Sequence, residues 1–196
     1  MDSVDTRSLA LRARDGELHG FRDLYERIAP SLYAWAKIRS KPDQGLALEP
    51  EDLLQEVWLR AYEHLGDFDA TQASFRSWIF GIAKNVAYEA WRRGASAASA
   101  AGGSMGSGGL ALEAWPAVST SIRSRMARDE SVRRLMHELE GFDPVDRMLL
   151  VHCGMEDVSS HVAATRLGMG REAVIKRWKR LRERLRGSPF LELLQS

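Results

Sequence analysis

Lys84, Tyr88, Trp91 and Arg92 are spaced so that a helix, turning about 100° per residue, would bring them to one face. Such a face can handle unpaired nucleic acid, because rings stack on exposed bases while cations hold the phosphate chain. Trp78 and Asn85 would flank it, and Phe75, Ile79, Ile82 and Val86 would form a separate apolar stripe for a core. The plainer alternative makes Trp78 and Trp91 core residues shared with another helix.

Two further stretches carry chemistry. In EDLLQEVWLRAYEHL, Leu54, Val57, Trp58, Ala61 and Leu65 form an apolar side, while Asp52, Gln55, Glu56 and Glu63 project elsewhere. Acids and an amide repel phosphates and suit a basic protein surface, although such a face taken singly is usually just solvated. Near the C-terminus, Ala164, Gly168 and Val174 fall at the small residue, turn glycine and buried aliphatic of a helix-turn-helix. Its second helix would be REAVIKRWKRLRERLR, the element that such units place in the major groove. Val174, Trp178, Leu181 and Leu185 make the stripe of that helix and leave Arg171, Glu172, Ile175, Lys176 and Lys179 to meet DNA. Arg171, Glu172 and Lys176 are placed for base edges, and the basic residues for phosphates. A surface amphipathic helix would share much of this pattern.

The elements that must position these residues are all helical in period. The spacing predicts helices over 6–14 and 18–39, the second with Pro30 marking a kink or break. A third begins at Glu49-Pro50-Glu51-Asp52 and runs to Leu65, with proline and acids suited to its first turn. A turn over 67–71 leads to a fourth helix, 74–93. Gly, Ser and Ala dominate 94–121, which reads as a flexible linker. Beyond it the spacing predicts helices over 126–140, from Asp143-Pro144 onward, over 157–167 and over 170–186. The expected fold is all-α: a domain over 1–93, a linker over 94–121 and a second domain over 122–190.

Composition limits the function classes. Of 196 residues, 44% are hydrophobic and 28% charged, as in ordinary globular chains. No apolar run could span a bilayer, and the N-terminal stretch mixes acids with bases, unlike a secretory leader. The single cysteine, Cys153, cannot pair within the chain, which suits a reducing compartment. Net charge is only +1, yet Asp43 to Ala70 holds eight acids and one base, while Arg171 to Arg186 holds eight bases and two acids. Opposite blocks suggest two partners of opposite charge, or else two solvated helix faces. His137, His152, Cys153 and His161 match no common zinc spacing, so no metal or cofactor is expected. With no phosphate-cradling loop and no nucleophilic triad in view, enzyme activity is not expected either.

The stretch EDLLQEVWLRAYEHLGDFDATQASFRSWIFGIAKNVAYEAWRR resembles region 2 of the sigma-70 family, and Met136 to Arg186 resembles region 4. With only a linker between them, the chain resembles an extracytoplasmic-function (group 4) sigma factor. That resemblance implies a protein that binds core RNA polymerase, directs it to promoters and helps open the −10 DNA. It implies that Asp52, Gln55 and Glu56 lie in the helix that clamps the coiled coil of the β′ subunit. The loop from Asp67 to Arg76, with Phe68, Phe75, Arg76 and Trp78, would pocket a flipped −10 base. Lys84, Asn85, Tyr88, Trp91 and Arg92 would hold the opened strand, and Arg171, Glu172, Lys176 and Lys179 would meet the −35 element. The implied partners are the polymerase core through β′ and β, promoter DNA and an anti-sigma factor, in the cytoplasm and without membrane insertion. The linker would thread the RNA exit path of the polymerase. Ser160, His161 and Val162 depart from the acidic residues that the family commonly has before Ala164. Two other classes stay open on the residues alone: a helix-turn-helix regulator acting on duplex DNA, and a helical adaptor that binds only protein.

Overall fold

Apolar residues recurring every three or four positions make every described element a helix. The computed structural model describes residues 6–39, 49–99 and 130–188. An N-terminal group contains α1 (Thr6–Arg14), α2 (Leu18–Arg39), α3 (Pro50–Glu63), a 3-10 turn (Leu65–Asp67) and α4 (Phe75–Ser99). A C-terminal group contains α5 (Glu130–Glu140), α6 (Pro144–Leu149), a π-helical turn (Leu150–Met155), α7 (Ser160–Leu167) and α8 (Arg171–Arg184).

In the N-terminal group, α1 and α2 approach so closely that a Cβ on Gly20 would lie 2.8 Å from the backbone nitrogen of Ala13. Pro30 does not break α2. Its neighbours Ile28, Ala29, Ser31 and Leu32 are all buried, so packing offsets the lost backbone hydrogen bond, which by itself costs about 3 kcal/mol. Trp58 of α3 lies centrally, its ring centroid 4.6 Å from that of Tyr25 and 5.6 Å from that of Phe21. Ser74 caps α4, its Oγ accepting from the Ser77 amide at 3.1 Å. The helix then runs six residues past the expected end at Arg93, to Ser99. Alanine-rich sequence that looks like linker is also good helix sequence, which explains the difference.

In the C-terminal group, Asp143 caps α6 as expected, Oδ1 accepting from the Val145 amide at 2.8 Å, with Pro144 at the first helical position. The chain then widens into the π turn, where the Glu156 amide donates to the Val151 carbonyl at 2.8 Å. Asp157 adopts φ 50°, outside any right-handed helix, so α7 starts at Ser160 rather than at Asp157. Gly168 takes the left-handed conformation (φ 62°, ψ 31°) that the turn into α8 requires.

The two groups do not stand apart among the described residues. Their buried side chains form one connected cluster, and α2 packs against both α5 and the π turn. The expected linker from residue 100 onward, and residues 126–129 of the expected fifth helix, lie outside the described residues.

Candidate nucleic-acid interface

The stripe on α4 buries Phe75, Ile79 and Val86, which turns Tyr88, Trp91 and Arg92 outward. Tyr88 is 58% exposed and Trp91 47%, large apolar areas to leave in water. Their ring centroids are 6.0 Å apart at 31°, and the Arg92 guanidinium sits 6.0 Å from the Tyr88 ring centre. Asn85 is exposed beside them and Lys84 is half-buried. The sequence-derived set of stacking rings and cations is thus brought together on one side of α4.

The loop before α4 is different. Phe68 and Phe75, expected at the flipped base, are 2% and 1% exposed and pack edge to face 5.5 Å apart. As placed they support the loop from beneath and offer no surface to a base. Trp78 is half-buried against both rings, 5.4 Å from Phe68 and 5.5 Å from Phe75. Arg76 lies over Phe80 at 5.0 Å and donates to Ser31 Oγ at 3.4 Å. Burial lowers its pKa to about 10, partly opposed by Asp157, so it stays charged at neutral pH. Above these, Asp69 organises the exposed rim. Its carboxylate accepts from the Thr71 amide at 2.8 Å, the Thr71 hydroxyl at 2.7 Å and the Gln72 amide nitrogen at 3.0 Å. Those bonds, led by the Thr71 hydroxyl, hold the Asp69 carboxyl below its usual range.

On α3, Asp52 and Gln55 are exposed, while Glu56 is half-buried and accepts from Arg60 at 2.8 Å. Arg60 also grips Glu89 of α4 with two nitrogens, at 2.9 and 2.7 Å. The acidic face is therefore smaller than its composition suggests, because Glu56 shares a cation with α4. Glu56 and Arg60 stand four positions apart, a spacing at which helical side chains can pair, whereas Glu89 lies 29 positions from Arg60 and no local spacing marks it. Glu51 joins α3 to α2 through the Tyr33 hydroxyl at 2.5 Å and Lys37 at 3.4 Å. Burial opposes its ionisation, but these partners outweigh burial and hold its pKa down.

In the helix-turn-helix, Ala163, Ala164 and Val174 are buried where α7 meets α8. Arg171, Glu172, Ile175, Lys176 and Lys179 are all exposed along α8, and Arg171 Nε reaches Ser160 Oγ at 3.4 Å. Arg177 is withdrawn from this set: it pairs with Asp146 at 2.5 Å and Asp143 at 2.7 Å. Of the histidines weighed for zinc, His137 and His161 are exposed and His152 is buried beside Glu156. Among the described residues, no helix is long and apolar enough to cross a membrane.

Residues 24–97, which take in most of α2, all of α3 and most of α4, match the family described as Sigma-70 region 2. The chain is 32% identical over 85 residues to the ECF RNA polymerase sigma factor BldN of Streptomyces coelicolor. That match covers 43% of this chain and 31% of BldN, less than a third of the relative's length. A solved structure of CnrH in complex with the cytosolic domain of CnrY aligns with TM-score 0.44 and 24% identity, over 93% of this chain and 96% of that one.

Proposed function

We propose that the segment over 24–97 is a region 2 domain and that it works within a sigma factor of the extracytoplasmic-function kind, which catalyses nothing itself. The chain binds core RNA polymerase, directs it to promoters and helps open the −10 DNA. The observation that carries the proposal is the exposed face of Tyr88, Trp91 and Arg92 on α4. Unstacking a base costs a few kcal/mol. Rings beside cations can offset that cost on one strand only, so they favour the opened duplex over the closed one.

Asp52 and Gln55, with Glu56 partly neutralised, meet the β′ subunit in this reading. Arg171, Glu172, Lys176 and Lys179 meet the −35 element, where Glu172 can accept from a cytosine amine and the cations can reach guanine or phosphate. Phe68 and Phe75 act from within the core by holding the −10 loop in shape. The site of action is the cytoplasm, and an anti-sigma protein would act by covering one of these faces.

Core polymerase programmed with the Tyr88→Ala/Trp91→Ala double variant tests this. Open-complex formation on promoter DNA should fall by about 1–3 kcal/mol for each stacked base lost, while affinity for core stays unchanged. Equal loss of both would defeat the single-strand role. Duplex binding by the chain alone, with no gain from core, would instead support a free-standing regulator.

A further inference from the structure

Glu156 is a carboxylate with 0% side-chain exposure at the joint between the two helical groups. Its two oxygens divide their partners by group. Oε2 faces its own group, 3.1 Å from His152 Nδ1 and 2.9 Å from Arg166 Nη1. Oε1 faces α2, accepting from Trp35 Nε1 at 2.9 Å and Arg39 Nη2 at 2.5 Å. The partners on Oε2 hold the carboxylate in place whether or not the groups touch. The partners on Oε1 exist only when they do.

A buried ion pair adds little stability over well-packed apolar groups, because both charges must leave water. It differs from an apolar contact in what separation does. Once apart, Glu156, Arg39 and the Trp35 indole would all regain hydrogen bonds from water, which the apolar side chains that also join the groups would not. Interfaces between domains that move are accordingly more polar than cores.

We propose that the Oε1 contacts of Glu156 with Trp35 and Arg39 are a latch that holds the free chain closed and must open on a promoter. The second half of the statement rests on the sigma-factor reading. A compact body of this chain's size is about 40 Å across. The −10 and −35 elements lie about 25 base pairs apart, roughly 85 Å at 3.4 Å per pair. The faces on α4 and α8 cannot reach both while the groups remain docked.

Arg39→Met with Trp35→Phe removes the Oε1 donors and leaves the partners of Oε2 untouched. It leaves Oε1 buried without a donor in the closed form, where only opening can hydrate it. Small-angle scattering of the full chain, without polymerase or DNA, should show the radius of gyration rise from roughly 16 Å to above about 20 Å. Helical content by circular dichroism should be unchanged. Glu156→Gln supplies a second variant, which weakens the same contacts without changing side-chain shape, and should expand the chain in the same direction. An equal radius in wild type and both folded variants would overturn the latch, as would a wild-type chain already expanded. Because scattering needs no promoter, a failure of the sigma-factor reading would be seen separately, in the initiation assay. If that reading holds, the double variant should also bind core about tenfold more tightly, since the closed population no longer subtracts from the competent one.

Discussion

On α4 the exposed rings belong to a group with an aromatic interior, whereas on α8 the exposed cations belong to a group with a mainly aliphatic interior, framed by caps and ion pairs. The N-terminal group buries Trp58, Phe68, Phe75 and Phe80. Behind α8 the C-terminal group buries Val174, Leu181 and Leu185, and Ser159, Asp143, Asp146, Arg177 and the left-handed Gly168 frame it. The difference matches the tasks proposed for them. Prising a base from a duplex calls for a rigid platform, since any yielding of the rings would return the energy that stacking supplies. Reading an intact groove calls mainly for correct placement of a helix end, which a cap and a tight turn provide.

Core truncation should break the N-terminal group most. Phe75→Ala removes a fully buried ring against Phe68, Trp58 and Trp78 and should cost about 3–5 kcal/mol in urea unfolding. A loss below about 1 kcal/mol would mean that the aromatic interior is not what holds this group, and the contrast would fall.

Acid should act next, and at the joint. Burial opposes ionisation of Glu156, but hydrogen bonds from His152, Arg39 and Trp35, together with the Arg39 charge, outweigh it and hold the carboxyl far below its ordinary 4.5. A carboxyl held low in the folded state contributes stability that is fully present above its unfolded value. That contribution is lost progressively as pH falls below about 4.5. Unfolding followed between pH 6 and 3 should therefore show the wild type losing stability more steeply than Glu156→Gln. Parallel curves would remove Glu156 from the account.

The smallest effect belongs to the caps. Ser159→Ala leaves the Val162 amide without its side-chain acceptor and should cost about 1 kcal/mol. Hydrogen exchange should show the opening confined to α7 and α8. Equal loosening of α3 would show that the two groups share more of their stability than their construction suggests.

Local rules made much of this legible in the sequence. The bounds of α1 and α2, the cap at Asp143, the glycine turn and the outward face of α4 all follow from spacing within a few residues. Phe75 was legible twice, as part of a core stripe and as a −10 contact, and the structure favours the stripe because a ring over Trp58 and Phe68 has no route to the surface. The end of α4 was missed because Ala and Ser permit helix and linker alike. Asp69 looked like an ordinary turn residue, and its three local bonds appear only once the loop is built. Glu156 was illegible for a deeper reason. Its α2 partners lie 117 and 121 positions away, and nothing in composition marks one glutamate for burial when glutamates generally stay in water.

The wide turn at Leu150–Met155 acts as a rotational setting. A π turn takes up one residue more than α-helical winding would, and each residue advances a helix by about 100°. With one residue fewer, Glu156 would swing by about that angle, its carboxylate aimed along the surface of α2 instead of at Trp35 and Arg39. The joint therefore depends on counting as much as on chemistry. A single deletion between Leu150 and Met155 would leave every residue of the latch in the chain and still disengage it.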